Sequence, residues 1–271
     1  MSGSDPSPSP GPARPDGGLS GRVALITGGA GGIGRAIAAA LAADGATVVV
    51  ADRDRAGADA VAGRLPGGWA HAVDLAETDD CRRLVDAVLG RHGRLDILVN
   101  AAGFQHIAPV VDFPLERWDE MLRTMVSAPF VLIQGSLPAM IAQGWGRIVN
   151  IGSIHSVVAS TNKVAYVTAK HGLLGLTRAV ALEVGAHGVT CNAICPSYVR
   201  TPLVETQIAA QARARGIPEN EVVERVMLAD SAVPRLIEAD EVAAYVRFLC
   251  SDAAAGITGS AQLIDGGWTA H

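Results

Sequence analysis

Val23-Ala-Leu-Ile-Thr27-Gly28-Gly-Ala-Gly-Gly32-Ile-Gly34 is the stretch that decides how the rest of the chain is read. Val23 to Ile26 is continuously apolar, the pattern of a strand covered on both faces. The glycines then break it, and an Ala-rich helical pattern resumes from Ile33 to Ala43. Glycines between a strand and a helix permit a tight turn and let backbone N–H groups approach a pyrophosphate, while the helix N-terminus adds a favourable dipole. A Gly-rich loop alone is a weak signal; this one has the required strand before it and helix after it.

The next strand strengthens the reading. Val48-Val-Val-Ala-Asp52 ends on an acid about twenty residues further on, where a dinucleotide's ribose hydroxyls would be met. A carboxylate there repels a 2′-phosphate, so NAD is expected over NADP. Arg53 is the counter-signal, although no basic residue sits inside the glycine loop to assist it.

Short apolar runs and longer helical patterns keep alternating. Helices are expected near Arg55 to Arg64, Thr78 to Arg91, Leu115 to Met140, Ala165 to Val184 and Ala239 to Leu249. Strands are expected near Ala70 to Val73, Leu95 to Val99, Arg147 to Ile151 and Thr190 to Ile194. This series predicts one α/β domain over residues 21–271, a doubly wound parallel sheet of the Rossmann type. The segment from Thr201 to Pro234 departs from the rhythm: it is polar, helix-prone and follows a strand's C-terminal end, where the ligand crevice lies. It is read as a helical lid, with a solvated hairpin as the alternative.

Composition narrows the function classes. The chain has 271 residues, 49% of them hydrophobic, with a net charge of −5 and no basic run, which points to small-molecule chemistry rather than nucleic acid or an anionic membrane. Met1 to Ser20, dominated by Ser, Pro, Gly and Asp, reads as a disordered tail with neither the basic nor the apolar region of a signal peptide. No eighteen-residue apolar run occurs without charge or Gly/Pro punctuation, so a cytoplasmic protein is expected. The four cysteines (Cys81, Cys191, Cys195, Cys250) show no metal-ligand or disulfide spacing and are read as reduced core thiols; no metal site is expected.

Only two lysines occur, Lys163 and Lys170, and they bracket Tyr166. At three and four residues apart on a helix, the three side chains share a face. A compact ammonium beside a phenol biases it toward phenolate. The bland alternative is two surface lysines with a tyrosine stem packed between them.

Taken in order, Thr27-Gly-x-x-x-Gly32-x-Gly34, Asn100-Ala-Ala-Gly103, Ser153 and Tyr166-x-x-x-Lys170 resemble the short-chain dehydrogenase/reductase family from Leu19 to the C-terminus. The resemblance implies catalysis by Ser153, Tyr166 and Lys170. It implies cofactor contacts at Gly28, Gly32, Ile33, Gly34, Asp52, Asp74, Leu75, Asn100, Gly103, Tyr166, Lys170, Pro196, Val199 and Thr201. Asn100 also has the plainer reading of a strand-end cap, and His106 that of a loop histidine.

The segments Gly103-Phe-Gln105-His106, Ser153-Ile-His155, Asn162-Lys163, Arg200 to Gln207 and Asp265-Gly-Gly-Trp268 look more narrowly like the bacterial D-3-hydroxybutyrate dehydrogenases. That likeness implies a small anionic hydroxy acid bound by Gln105, Ser153, His155, Lys163, Tyr166 and Gln207, with Trp268 closing the pocket. It also implies a homotetramer built through the long helices and the C-terminal strand. Two departures stand out: Tyr198 replaces a tryptophan, and Met125 stands where the family has a catalytic Asn. The competing readings are another small hydroxy acid or a β-ketoacyl thioester as substrate, or a dinucleotide-binding protein whose turnover Met125 impairs.

Overall fold

A computed structural model describes residues 18–270. The chain alternates β1 (Val23–Thr27), α1 (Gly32–Ala43), β2 (Thr47–Asp52), α2 (Arg55–Ala62), β3 (Trp69–Ala72), α3 (Thr78–His92) and β4 (Ile97–Asn100). It continues through α4 (Leu115–Leu122), a π-helical turn (Arg123–Ser127), α5 (Ala128–Ala142), β5 (Gly146–Ile151), α6 (Val164–Val184) and β6 (Val189–Pro196). Helices α7 (Pro202–Arg215) and α8 (Glu219–Val222), a second π turn (Val223–Met227), α9 (Ala239–Cys250) and β7 (Ala261–Ile264) complete it. The strands form one parallel sheet in the order β3-β2-β1-β4-β5-β6-β7.

Helices pack on both faces because the strands are apolar on both. Leu25, Val49 and Leu98 belong to one buried cluster, and Ile26, Val50 and Val99 to the other. The doubly wound Rossmann expectation therefore holds. Strand order reverses direction between β1 and β4, and the C-terminal ends of these two strands open the crevice where ligands bind in such sheets. Thr27 fastens the two ends together: its Oγ1 accepts from the N–H groups of Ala101 and Ala102 at 3.2 and 3.4 Å.

Several local expectations change. The long helix expected from Leu115 to Met140 is broken by the π turn at Arg123–Ser127, where the Ala128 N–H reaches back five residues to the Arg123 carbonyl. The combined stretch 115–142 is long and apolar enough to cross a membrane by length and composition alone. Met121, Met125, Leu132, Ile133 and Met140 are fully or almost fully buried in the core, whereas Leu115, Phe130 and Ile141 are exposed. The expected disordered tail lies outside the described residues as far as residue 17; beyond that, Leu19 is 5% exposed and packs into the core, so the boundary drawn at Ser20 moves forward. Strand β7 is short and only half-buried, which is why apolar patterning did not locate it. All four cysteines are buried free thiols, as read.

The polar segment after β6 is helical, as expected. Its two ends meet: Val199 bridges to Ile237, Arg200 N–H donates to the Ile237 carbonyl at 2.8 Å, and Ile237 N–H donates to the Tyr198 carbonyl at 2.9 Å. Its inner face carries a separate apolar cluster that includes Ile208, Met227, Leu228 and Leu236.

At the opposite end of the sheet, Asp96 is fully buried and accepts from Arg22, Arg94 and the Val23 N–H at 2.6 to 2.9 Å. Burial alone would raise its pKa, but these donors together hold it below the ordinary value. A depressed carboxylate pKa gives stability that is present above the unfolded-state value and is lost as pH falls through the folded one. Asp96→Asn should therefore cost about 3 kcal/mol at neutral pH, with a smaller deficit in acid, as read by urea unfolding. Equal stability of the two proteins at both pH values would show that this cluster contributes nothing.

Candidate active site

Backbone geometry shapes the crevice before any side chain does. Gly28 has φ +65°, and a Cβ there would lie 2.7 Å from Ala102 Cα, so this turn after β1 needs glycine on both counts. A Cβ on Gly34 would sit 2.2 Å from the Gly28 carbonyl oxygen, so α1 starts hard against the loop. Above this floor is a cavity of about 700 Å³, and a second of about 160 Å³ adjoins it. Ile33, Ala101, Gly103, Phe104 and Thr201 line both.

The large cavity collects Gly28, Gly32, Gly34, Asp52, Asp74 and Leu75. Asp52 is fixed by two backbone donors, Ala30 N–H at 3.1 Å and Asp54 N–H at 3.0 Å, which leave its outer lone pairs facing the cavity. The small cavity collects Gln105, Ser153, His155, Lys163, Tyr166, Lys170, Pro196, Val199 and Gln207. Four elements place most of the polar ones. The end of β5 and the 3₁₀ turn Ile154–Ser156 carry Ser153 and His155, α6 carries Tyr166 and Lys170, and α7 carries Gln207. Ser153 is locked by a reciprocal cap in which its Oγ accepts from the His155 N–H at 3.2 Å and its N–H donates to Ser156 Oγ at 3.2 Å.

Lys170 is 4% exposed and donates to the Ile151 carbonyl at 2.7 Å, with its Nζ 5.5 Å from the Tyr166 ring centre. Lys163 occupies the cap position immediately before α6 and reaches His155, so it is not on the helix itself; the three side chains still converge on one cavity.

A family model described as enoyl-(acyl carrier protein) reductase matches residues 28–269. The chain is 46% identical over 256 residues to the D-beta-hydroxybutyrate dehydrogenase of Rhizobium meliloti (strain 1021), covering 92% of this chain and 99% of that protein. This chain belongs to the short-chain dehydrogenase/reductase family. The oxidoreductase is also 41% identical to the D-beta-hydroxybutyrate dehydrogenase of Cupriavidus necator (strain ATCC 17699 / DSM 428 / KCTC 22496 / NCIMB 10442 / H16 / Stanier 337), over 93% of this chain and 100% of that one. It superposes on the crystal structure of gox2181 with a TM-score of 0.87 at 31% identity, covering 94% and 98% of the two chains.

Two residues of this short-chain dehydrogenase/reductase lie away from the cavities that the sequence assigned them to. Asn100 is buried at the end of β4, where its Nδ2 donates to Asn150 Oδ1 of the neighbouring β5 at 2.8 Å, and it lines neither cavity. Trp268, half-buried after β7, also lines neither. Other residues line the cavities unannounced. Glu120 and Thr124 face the large one from α4 and the π turn, and Phe104, Ile154 and Val204 face the small one. Phe104 sits directly beside Gln105 in sequence and was within reach of a motif-based reading; Glu120 on α4 and Thr124 in the π turn belong to no motif.

Electrostatics correct the sequence reading most sharply. The expectation was a Tyr166 pKa pulled down by Lys170. Burial instead pushes Tyr166 up to about 12, with a hydrogen bond from Ser153 opposing it, and lowers Lys170 to about 8. Both groups leave water, which disfavours whichever form is charged, and this outweighs their mutual influence at 5.5 Å. Since this chain has only two lysines, selective isotope labelling gives only two side-chain signals. In the protein without cofactor, the Lys170 signal should titrate near pH 8, ammonium below and amine above, while no ionisation of Tyr166 is seen up to pH 11. A Lys170 pKa above 10 would show that burial is not the controlling influence.

Proposed function

We propose that this enzyme oxidises (R)-3-hydroxybutyrate to acetoacetate with NAD and catalyses the reverse reduction. The observation that carries the reading is Lys163. It is half-buried at the small cavity, and among the described residues no carboxylate pairs with it. A desolvated ammonium with no resident partner suits an anionic substrate. The size suits as well. A cavity of 150 Å³ holds benzene, with six heavy atoms, so about 160 Å³ suits a hydroxy acid with about seven. The two similar hydroxybutyrate dehydrogenases support the same choice by name.

The glycine cradle, the fixed Asp52 and the volume of the large cavity fit a nicotinamide dinucleotide. When bound, that cofactor supplies the hydride acceptor. Gly28, Gly32, Ile33 and Gly34 would hold its phosphates, Asp52 its adenosine ribose, Asp74 and Leu75 its adenine, and Gly103, Pro196, Val199, Thr201 and Lys170 its nicotinamide half. Asp52 would repel a 2′-phosphate, so NAD is preferred.

In the oxidation, Tyr166 Oη takes the hydroxyl proton as the substrate's carbon gives up its hydride, and Ser153 donates to the oxygen that becomes a carbonyl. Tyr166 and Lys170 titrate as a unit: with Lys170 as the amine, Tyr166 Oη releases its own proton toward that amine as it takes the substrate's. Lys163, with Gln105, His155 and Gln207 around it, holds the carboxylate. The helical segment from Thr201 to Pro234 acts as a lid, because Thr201, Val204 and Gln207 line the small cavity from it and its ends are tied at Val199 and Ile237. The family's Asn interrupts regular helix bonding, and the π turn at Arg123–Ser127 makes a like interruption around Met125, which supports a working enzyme over a binding protein. Exposed Phe130 on α5, Leu182 on α6 and Leu263 on β7 suit a homotetramer built through these elements.

Steady-state NADH formation from a panel of small hydroxy acids tests this reading. The (R)-3-hydroxybutyrate should be the best substrate, NAD should exceed NADP by roughly a hundredfold in kcat/KM, and Lys163→Ala should weaken substrate binding by about 2–5 kcal/mol. Equal use of an uncharged alcohol of similar size, or an unchanged KM in the Lys163 variant, would remove the basis for an acid substrate.

A further inference from the structure

Asn150 is fully buried on β5 and ties that strand to three other elements through one amide. Its Oδ1 accepts from Asn100 Nδ2 of β4 at 2.8 Å, and its Nδ2 donates to Thr177 Oγ1 of α6 at 2.9 Å and to Cys191 Sγ of β6 at 3.7 Å. Thr177, also fully buried, donates its own proton to the Leu173 carbonyl one turn back at 2.7 Å. A hydroxyl carries one proton. With that proton used inside the helix, Thr177 Oγ1 can only accept from Asn150, so the amide has one orientation and the bond across to α6 one direction. Neither Asn150 nor Thr177 lines a cavity.

The place of this bond matters because the site is divided between the same two elements. Ser153 lies two residues past the end of β5, whereas Tyr166 and Lys170 are carried on α6. Their spacing is therefore set by the register of α6 along β5. Val180, Ala181 and Val184 of α6 share an apolar cluster with Leu98, Ile148 and Val189 of the sheet. Such contact resists separation but has no direction, so it fixes register weakly. Among the described residues, two side-chain hydrogen bonds join α6 to β5: Lys170 Nζ to the Ile151 carbonyl at 2.7 Å, and Asn150 to Thr177. They start from adjacent strand residues and meet one face of the helix at positions seven residues, about 10 Å, apart. A helix held at two points along its axis neither slides nor turns.

We propose that Asn150 and Thr177 are positioning residues for the reaction, whose bond pins the register of α6 on β5 and so holds Tyr166 and Lys170 opposite Ser153. The inference rests on the catalytic reading of those three residues above and adds to it a part that touches neither cofactor nor substrate. The Lys170 bond alone is a poor pin, because it ends a flexible four-carbon stem and its charge changes as the pair titrates. The amide and the hydroxyl never ionise, and their bond persists through the catalytic cycle.

Thr177→Val keeps the shape of the side chain and removes only the hydroxyl; Thr177→Ala gives the same loss should the valine variant not fold. In the full-length enzyme either should lower kcat roughly tenfold, since a misplacement of about 1 Å can cost a hundredfold, while changing KM for NAD and for the hydroxy acid little. NMR of labelled lysine reads the cause, because the chain has only two lysines. The Lys170 signal should move, and the Lys163 signal, held by His155, should stay. Thr177→Ser keeps the hydroxyl and should restore both kcat and the Lys170 signal. A wild-type kcat in Thr177→Val, whatever its unfolding temperature, would make the bond structural only and overturn the inference, as would a Thr177→Ser variant as slow as the valine one. Retained turnover in Tyr166→Phe would instead defeat the catalytic reading on which the inference stands, with residue 177 unaltered.

Discussion

The site depends on a buried cation. Lys170 sits in the interior with its ammonium held by the Ile151 carbonyl at 2.7 Å, and each element around the site contributes to keeping it there. Strand β5 ends where that carbonyl is needed. Helix α6 sets Lys170 one turn from Tyr166, and the π turn brings Met125 close enough that a Cβ on Gly103 would lie 3.3 Å from its sulfur and 3.7 Å from Lys170 Nζ. Removing a lysine from water disfavours its charged form. Here the cost brings its pKa to about 8, where giving up and regaining a proton is easy near physiological pH.

Charge placement also separates the two lysines that the sequence brackets around one tyrosine. Lys170 is bonded to backbone, whereas Lys163 is bonded to the His155 imidazole beside the Tyr198 ring, whose centre is 5.7 Å away. Both ammonium groups line the small cavity, each held by a different kind of acceptor. Tyr198 belongs to the same division: its ring packs against the apolar cluster beneath α7, and its carbonyl accepts from Ile237 at the base of that segment.

Features set by local periodicity were readable in the sequence, and those set by three-dimensional surroundings were not. The parallel sheet, the glycine turn and Asp52 follow from runs such as Val48 to Asp52, whose pattern needs no distant partner to interpret. Ser153, Tyr166 and Lys170 were readable through spacing and family likeness together, and the structure brings them to one cavity. The direction of the Tyr166 pKa was misread because proximity to Lys170 is visible in sequence while desolvation is not. The π turn escaped because a five-residue back-bond leaves no mark in apolar spacing. Lys163 was placed on the helix by its spacing alone, although positive φ at Asn162 shows the chain still turning just before it. Trp268 was assigned to the pocket on likeness only, and it lies apart from the cavity in the single chain.

The central claim is that the proton leaving the substrate is taken at the Tyr166 oxygen. Turnover of Tyr166→Phe, measured alongside NADH binding by the same protein, tests it most directly, because the ring and its packing are kept while only the hydroxyl is removed. The account predicts that hydroxy-acid oxidation falls by at least two orders of magnitude, within the usual range for loss of a general base, with NADH affinity little changed. A variant that retained a tenth or more of the wild-type rate would contradict it.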